Sequence, residues 1–328
     1  MDLKGTLKKI PLLVKINNNL KINKAYNDDK KEFKKHWINS NINYKKIGYS
    51  IILEVHSLEK GMTSTNPRYF GIKKVEKIIN LLDLYNKTNQ NIDFAYKLGV
   101  NALRAYCNFY EKMNWIERRE YKLVSDYIKN QEKVESIDVG SYEILKKDFI
   151  NDSQIDYDKF LSSRHSVRSF KKDKLKIDDI EKAVNMAMKS PSACNRQMCK
   201  IYYIEDNNKL QKAIKYGHGL TNFNLESTKL FVITFDISSF IVIGDRHQGW
   251  FNAGLISMNF VNALHSLGIG SCFIQFGNNY KEERELKNIL DIPDNEKIAV
   301  IIAAGYYEDI SRIPFSSRKD IKEILYIK

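Results

Sequence analysis

The second half of the chain alternates between helical and strand-like hydrophobic patterns, and this alternation constrains the fold more than any other feature. Helical segments carry apolar residues at three- and four-residue spacing, whereas strand segments are short and rich in β-branched and aromatic residues. In order, the patterns predict a helix, two strands, a helix, a strand, a helix and a strand, at residues 178–188, 200–205, 229–236, 251–267, 271–276, 281–290 and 297–304. This order predicts one compact α/β or α+β core.

The first half carries helical patterns and few strand signals. Apolar stripes at Ile51, Val55 and Leu58 and at Ile78, Leu82 and Tyr85 predict amphipathic helices that must be buried against a partner surface. We expect three parts: a basic flexible arm, a helical region and a sheet-containing domain, at residues 1–42, 43–150 and 151–328. Residues 131–140 are charged and end in glycine, which predicts a linker or an exposed crossing. The fold class is therefore α+β, a sheet flanked by helices and preceded by a mostly helical region.

Charge is concentrated in the first half. The chain has a formal net charge of +13, and residues 1–150 contain 28 Lys and Arg against 18 Asp and Glu. Such an excess fits a polyanion or an anionic membrane surface as partner, but also a general lysine enrichment, which we favour. Arginine is scarce in the basic stretches and no nucleic-acid-binding motif is present, so we expect no nucleic-acid partner.

Apolar runs and cysteine spacing exclude several classes of protein. The longest apolar run, at 298–304, has seven residues, and crossing a bilayer takes about 20. No export signal is evident, so a cytoplasmic protein is expected, with at most weak contact to a membrane surface. The four cysteines form no Cys-x-x-Cys pair, which excludes a disulfide scaffold and makes a cysteine-based zinc site improbable.

Two polar segments flank the helix predicted at 178–188. In the first, Arg164 and Arg168 lie four residues apart with Ser166 between them, an arrangement that suits a phosphate monoester but also occurs in basic surface turns. In the second, residues 190–197 read Ser-Pro-Ser-Ala-Cys-Asn-Arg-Gln, a loop that can bring backbone and amide groups to the edge of a planar heterocycle. Each string alone is a weak signal.

Their order and spacing, with two further blocks, resemble the nitroreductase-like FMN-dependent family. The first two blocks read Arg-x-Ser-x-Arg-x-Phe and Ser-Pro-Ser-x-x-Asn-x-Gln. A long helix leading to Gly-Ile-Gly-Ser-Cys at 268–272 and the ending Leu-Asp-Ile-Pro at 290–293, followed by Gly-Tyr at 305–306, are similar to later parts of the family pattern. The resemblance covers about residues 158–328 and implies a nitroreductase-like sheet, FMN bound at the interface of a homodimer, and NAD(P)H as a possible electron donor.

The resemblance also implies roles for particular residues. Four would hold the flavin phosphate and ribityl chain: Arg164, His165, Ser166 and Arg168. The other subunit's flavin would be reached by Pro191, Ser192 and Asn195, supported by Gln197. Ile274 and Gln275 match a strand end that faces flavin N5, and Arg318 matches a late basic residue near the phosphate. Because flavin carries the redox chemistry itself, no catalytic side chain and no metal ligand are expected.

Departures from the family pattern point to the substrate. Many members have Gly-Gly after the flavin-facing strand, where this chain has Gln275 and Phe276, so Phe276 is expected to narrow the pocket. The first half contains the string His-x-x-Glu-Lys-Gly, in which His56 and Glu59 are neighbours on a helix. These two residues could act as an acid–base pair or form a local salt bridge. With Lys60 and Arg68, they are candidates for a lid that selects an anionic substrate.

Three functions remain open from the sequence. The favoured one is an FMN-dependent oxidoreductase that exchanges hydride between NAD(P)H and a small-molecule acceptor. The second is an FMN-using dehydrogenase or oxidase of a biosynthetic pathway that does not use NAD(P)H. The third is a non-catalytic protein whose basic half binds a polyanion or a membrane surface.

Overall fold

The computed structural model describes residues 11–38, 43–63, 68–88, 92–131, 133–142, 155–220, 223–224, 226–276, 280–311 and 320–328. Its first part contains helices α1 to α5, at Pro11–Phe33, Tyr44–Met62, Ile72–Thr88, Phe94–Lys112 and Arg119–Ile128. Further along lie helices α6 to α10, at Tyr157–Ser163, Ile177–Ala187, Asn207–Ala213, Gln248–Ser266 and Tyr280–Leu290. Strands β1 to β5 span Cys199–Tyr203, Gly217–His218, Lys229–Asp236, Ile269–Phe276 and Glu296–Tyr306. Within these residues, none of the helices combines the length and the apolar character needed to cross a membrane.

Helices α2 to α5 enclose one hydrophobic core. The predicted stripes of α2 and α3 are buried in it, which confirms their amphipathic pattern. Asn43 caps α2 by accepting the amide N–H of Lys46 at 3.0 Å. Helix α4 approaches closely at Gly99, where an added Cβ would lie only 2.9 Å from the side chains of Ile51 and Leu82. A side chain at this position would therefore force the helices apart.

Residues 131–140 are not the exposed linker that their charge suggested. Val134 is buried in the helical core, and Ile137 and Val139 pack against it. Arg104 of α4 donates to the carbonyl oxygens of Val134 and Gln131 at 2.9 and 2.6 Å. The charged side chains point outward while the apolar ones alternate inward, so this segment belongs to the helical region.

The N-terminal segment also differs from the expected flexible arm. Helix α1 continues into a π-helical turn at Lys34–Ile38. The helix is attached to the second half through Lys297, whose ammonium lies 3.0 Å from Asp29 and 2.8 Å from Glu32. Helix-period apolar residues are sparse here, so the contacts made by its few acidic residues could not be read from the sequence.

The five strands form a single antiparallel sheet in the order β1-β3-β5-β4-β2. One face packs against α7 and α9 through residues such as Phe231, Ile233 and Ile302. The other face packs against α8 and α10 through the alternate residues Leu230 and Val232. Helices thus flank an antiparallel sheet, and the predicted α+β class is confirmed.

The helical region lies against the sheet domain. Tyr49 of α2 donates its hydroxyl proton to Asp236, at the end of β3, across 3.2 Å. Burial and the neighbouring Asp236 carboxylate raise the pKa of Tyr49, so this tyrosine stays protonated and keeps its donor role. The exact boundaries proposed between the three parts stay a prediction.

Candidate functional site

The segment carrying Arg164, His165, Ser166 and Arg168 is fixed against the edge of β4. Ser166 forms an isolated parallel bridge with Ser271, and the amide of Val167 donates to the Ser271 carbonyl at 3.0 Å. Val167 and Phe170 are buried in the core beneath the sheet. Around these buried anchors, His165 and Arg168 are exposed, and Arg164 and Ser166 are half-buried. The predicted phosphate-binding residues are therefore held on one short, well-anchored strand-like segment.

The two arginines supply positive charge without an ion-pair partner among the described carboxylates. Among the described residues, none of the ion pairs within 4.0 Å includes Arg164 or Arg168. In the part of the chain that the structure describes, Arg168 donates to the carbonyl oxygen of Ser166, at 3.3 Å. Burial raises the pKa of the nearby Cys272 thiol, and the two guanidinium groups act in the opposite direction. The segment thus presents cationic groups whose hydrogen-bonding capacity is available to an anion.

His265 of α9 is a neighbour of this segment that sequence reasoning missed. One ring nitrogen lies 2.9 Å from the hydroxyl of Ser163 and the other lies 2.7 Å from the hydroxyl of Tyr307. Burial, together with the electrostatic influence of the neighbouring Arg164 and His165, lowers the pKa of His265, which favours the neutral imidazole near neutral pH. The sequence did not indicate His265 as a site residue, because it lies within the predominantly apolar pattern of a long helix.

Residues 190–197 form a loop between α7 and β1 with an unusual backbone. Cys194, Asn195 and Gln197 have φ values of 52°, 52° and 51°, in the left-handed region that side chains other than glycine seldom adopt. The hydroxyl of Ser192 accepts the amide N–H of Gln197 at 3.0 Å, which closes the loop on itself. Such strain is common where a backbone is shaped for a ligand.

Arg196 holds the loop in place, and its role was not predicted. Its side chain is only 2% exposed and forms a bidentate ion pair with Asp245, at 2.8 and 3.0 Å. It also donates to the carbonyl oxygens of Ser239 and Ala193, at 2.8 and 2.9 Å. The partner Asp245 lies 49 residues further along the chain, so residue spacing could not reveal this pair.

A largely apolar cavity of about 420 Å³ opens beside the loop. Its walls include Pro191, Ser192 and Gln197 from the loop and Asn252 and Ile256 from α9. Asn195 is exposed at the edge of the same loop. Three of the four residues predicted for the second flavin-binding segment therefore border one concave surface.

The two predicted segments form separate sets of hydrogen bonds. In the described part of the chain, none of the hydrogen bonds joins residues 164–168 to residues 190–197. Both segments nevertheless border α9. His265 of α9 contacts Ser163, which directly precedes the first segment, and Asn259 of α9 donates to Ser190 of the second segment at 2.7 Å.

The remaining predicted residues have mixed placements. Ile274 is buried near the end of β4, where the side chain of Gln275 is exposed. The Phe276 side chain packs in the core and is 7% exposed, so its expected place in narrowing an open pocket is not observed. Strand alternation explains this, because Phe276 shares the inward face with Ile274. Arg318 lies outside the described residues.

The His56 cluster lies within the helical region. The imidazole of His56 is 3.9 Å from the Glu59 carboxylate, which also accepts the amide N–H of Gly140 at 3.2 Å. Glu59 and Arg104 help line a polar cavity of about 820 Å³ that residues of the helical region enclose. Lys60 and Arg68 are exposed. The geometry agrees with a local pair at His56, and the lid role of these four residues stays a prediction.

Comparison with known proteins identifies the second half of the chain. Residues 161–306 match the sequence model of the Nitroreductase family. These residues form a nitroreductase-family domain. A curated protein of Archaeoglobus fulgidus, with the provisional name NADH dehydrogenase/NAD(P)H nitroreductase, is 26% identical over 157 residues, which is 46% of this chain and 85% of that protein.

Solved structures of nitroreductases are similar to the same part of the chain. An FMN-dependent nitroreductase from Clostridium difficile is 20% identical with a TM-score of 0.44, over 52% of this chain and 98% of that chain. A structure from Desulfovibrio desulfuricans, provisionally described as a nitroreductase in complex with FMN, is 18% identical with a TM-score of 0.46, over 54% and 98% of the two chains. The family match confirms the resemblance found in the sequence and the oxidoreductase class of this nitroreductase-like enzyme.

Proposed function

We propose that this nitroreductase-like enzyme passes hydride from NAD(P)H to a small-molecule acceptor through bound FMN. An NAD(P)H-linked flavin oxidoreductase is the activity that the family assignment supports, and FMN is the cofactor of the family. The observation that carries the proposal is the pair Arg164 and Arg168, two guanidinium groups on an anchored segment of the matched domain that have no carboxylate partner among the described residues. A dianionic phosphate monoester is the ligand chemistry that such a pair fits.

The residues of the site act by binding and positioning. Arg164 and Arg168 would neutralise the phosphate, while Ser166 and His165 would contact the ribityl chain. His265, kept neutral, adds no third full charge beside them and fixes Ser163 and Tyr307 by hydrogen bonds. When bound, FMN supplies hydride exchange at its N5 atom, so the protein needs no acid, base or nucleophile for that step. The backbone at Ile274 and Gln275 is the candidate neighbour of N5.

Anaerobic reduction by NADPH or NADH tests this function directly. We expect the purified protein to be yellow and its flavin absorbance to bleach on addition of one of the two donors, because hydride passes to the flavin before any acceptor is needed. A flavin-loaded protein that neither donor reduces would instead support a dehydrogenase or oxidase that does not use NAD(P)H. A colourless protein that fails to bind added FMN would contradict the flavin assignment and leave the polyanion-binding function.

A homodimer is the assembly that we propose for this site. The segments at 164–168 and 190–197 are not joined within one chain, and α9 between them exposes apolar side chains that include Phe251, 63% exposed, and Met258. Buried against the same helix of a second copy, these side chains would complete two sites at one interface. We therefore expect a flavin-loaded dimer in light scattering, and a flavin-loaded monomer at micromolar concentration would contradict it. A cytoplasmic location stays a prediction.

A further inference from the structure

A separate polar cavity lies between the N-terminal segment and helix α10. Its volume is about 300 Å³, and it shares no lining residue with the cavity beside residues 190–197. Lys35, from the π-helical turn after α1, forms one wall. The opposite wall and floor come from α10 and the turn that follows it: Tyr280, Arg284, Lys287, Asn288, Ile292 and Asp294.

One face of α10 supplies most of the polar groups. Tyr280, Arg284, Lys287 and Asn288 are spaced by four, three and one residues, and positions i, i+4, i+7 and i+8 lie on one side of a helix. Their phenol, guanidinium, ammonium and amide groups are all hydrogen-bond donors. The helix thus presents a row of donors to the cavity, and the N-terminal segment adds the ammonium of Lys35.

The charge of the cavity is unbalanced. Three cationic side chains face one carboxylate, Asp294, which is already paired with Lys35 and lies 3.5 Å from the imidazole of His36. Among the ion pairs within 4.0 Å in the described residues, none includes Arg284 or Lys287. The nearby carboxylate of Glu283 binds Lys297 instead, at 3.1 Å.

Lys287 makes this imbalance costly. Lys287 is only 5% exposed, and its ammonium donates to the carbonyl oxygen of Asp294 at 3.1 Å. A carbonyl dipole compensates a buried charge less well than an anion does. An anion within the cavity would meet Lys287, Arg284 and Lys35 together and would replace the solvation that burial removes.

We propose that this cavity is a binding site for a phosphate group, independent of the flavin site. A compact dianion fits three cations and additional neutral donors better than a single carboxylate does. A phosphate has several acceptor oxygens on all sides, so it can accept from all of these groups. The volume suits inorganic phosphate or one phosphoryl end of a larger molecule. Since Lys35 and α10 lie far apart in the sequence, a bound phosphate links the N-terminal segment to the sheet domain.

Thermal unfolding of the flavin-loaded full chain with added phosphate, pyrophosphate or ADP tests the site. This design rests on the proposed function, in which the FMN phosphate occupies the Arg164 and Arg168 pair, so that the added anion reports on the second cavity. We expect phosphate to raise the melting temperature of the wild type, and Arg284→Gln to weaken its affinity by about tenfold or more. Lys212→Gln, at an exposed lysine of α8, is the matched control and should respond like the wild type.

Two outcomes would overturn the proposal. One is a wild type whose melting temperature does not respond to any of the three anions. The other is a response of Arg284→Gln and of Lys35→Gln that equals the wild-type response. Both substitutions remove exposed charge without opening the core. A response to ADP at much lower concentration than to phosphate would identify a nucleotide as the source of the phosphate group, and equal responses would identify the free anion. Failure of flavin binding is recorded separately by absorbance, so it is distinguishable from failure of this site.

Discussion

Replacing both Arg164 and Arg168 with alanine is expected to lower the affinity for FMN by at least about tenfold, because each charge-assisted contact to phosphate contributes about 1.5–3 kcal/mol and a tenfold change corresponds to about 1.4 kcal/mol. Neither guanidinium group has a carboxylate partner in the described residues, so little of the fold depends on them. The loss should therefore appear in cofactor binding rather than in the stability of the apoprotein. Fluorescence titration of apoprotein with FMN measures it.

The matched control is Arg119→Ala, which removes an exposed arginine whose partner is Glu76 at 2.9 Å, in the helical region. It should leave the FMN affinity unchanged. Arg168→Lys should retain more affinity than Arg168→Ala, because the charge remains while the planar guanidinium fork is lost. Full flavin occupancy and unchanged affinity in the double variant would mean that the phosphate is held elsewhere.

The parts of the fold that the sequence predicted best are those whose pattern follows directly from burial. Strand β3 was predicted with its observed ends, since every residue after Lys229 is buried and most of these residues are β-branched or aromatic. Helix α9 was predicted over most of its length because it is apolar on several sides. By contrast, the antiparallel strand order depends on long-range pairing, such as that of β3 with β5, which no local pattern encodes.

The parts that the sequence did not reveal depend on single long-range contacts between polar residues. Helix α1 is held by Lys297, more than 250 residues away in the chain, and Arg196 is held by Asp245. An arginine in a loop ordinarily indicates an exposed side chain, so the buried position of Arg196 contradicts the expectation from composition. The motifs predicted a polar segment at residues 164–168, where the structure exposes His165 and Arg168, but they could not show His265 or the strained backbone of the second loop.

Arg196→Met is expected to destabilise the sheet domain by about 3–5 kcal/mol, the usual cost of removing one partner of a buried ion pair. Burial alone would raise the pKa of Asp245, but the Arg196 guanidinium and the amide N–H groups of Ile241 and Val242 together bring that pKa below its usual value. A carboxyl group with a depressed pKa in the folded state contributes stability above its unfolded pKa, and this contribution is lost as the pH falls. The difference in the free energy of unfolding between the wild type and the variant should therefore be largest near neutral pH and should narrow in acid. Urea unfolding at several pH values measures both effects.

The same variant tests whether Arg196 serves the loop as well as the fold. Three residues of this loop adopt positive φ values, each at a cost of about 1–3 kcal/mol, and the contacts of Arg196 help to maintain that conformation. Adding Asp245→Leu to Arg196→Met removes the unpaired carboxylate, and this double variant should recover much of the stability because a buried pair is often replaceable by apolar residues. Its loop would still lack the hydrogen bonds from Arg196 to Ala193 and Ser239, so flavin binding should remain impaired in a protein that folds. Lys174→Met, which breaks the exposed pair of Lys174 with Glu205, is the control and should change stability by no more than about 1 kcal/mol. Normal flavin affinity in the stable double variant would show that Arg196 stabilises only the fold and that the strained loop keeps its shape without this arginine.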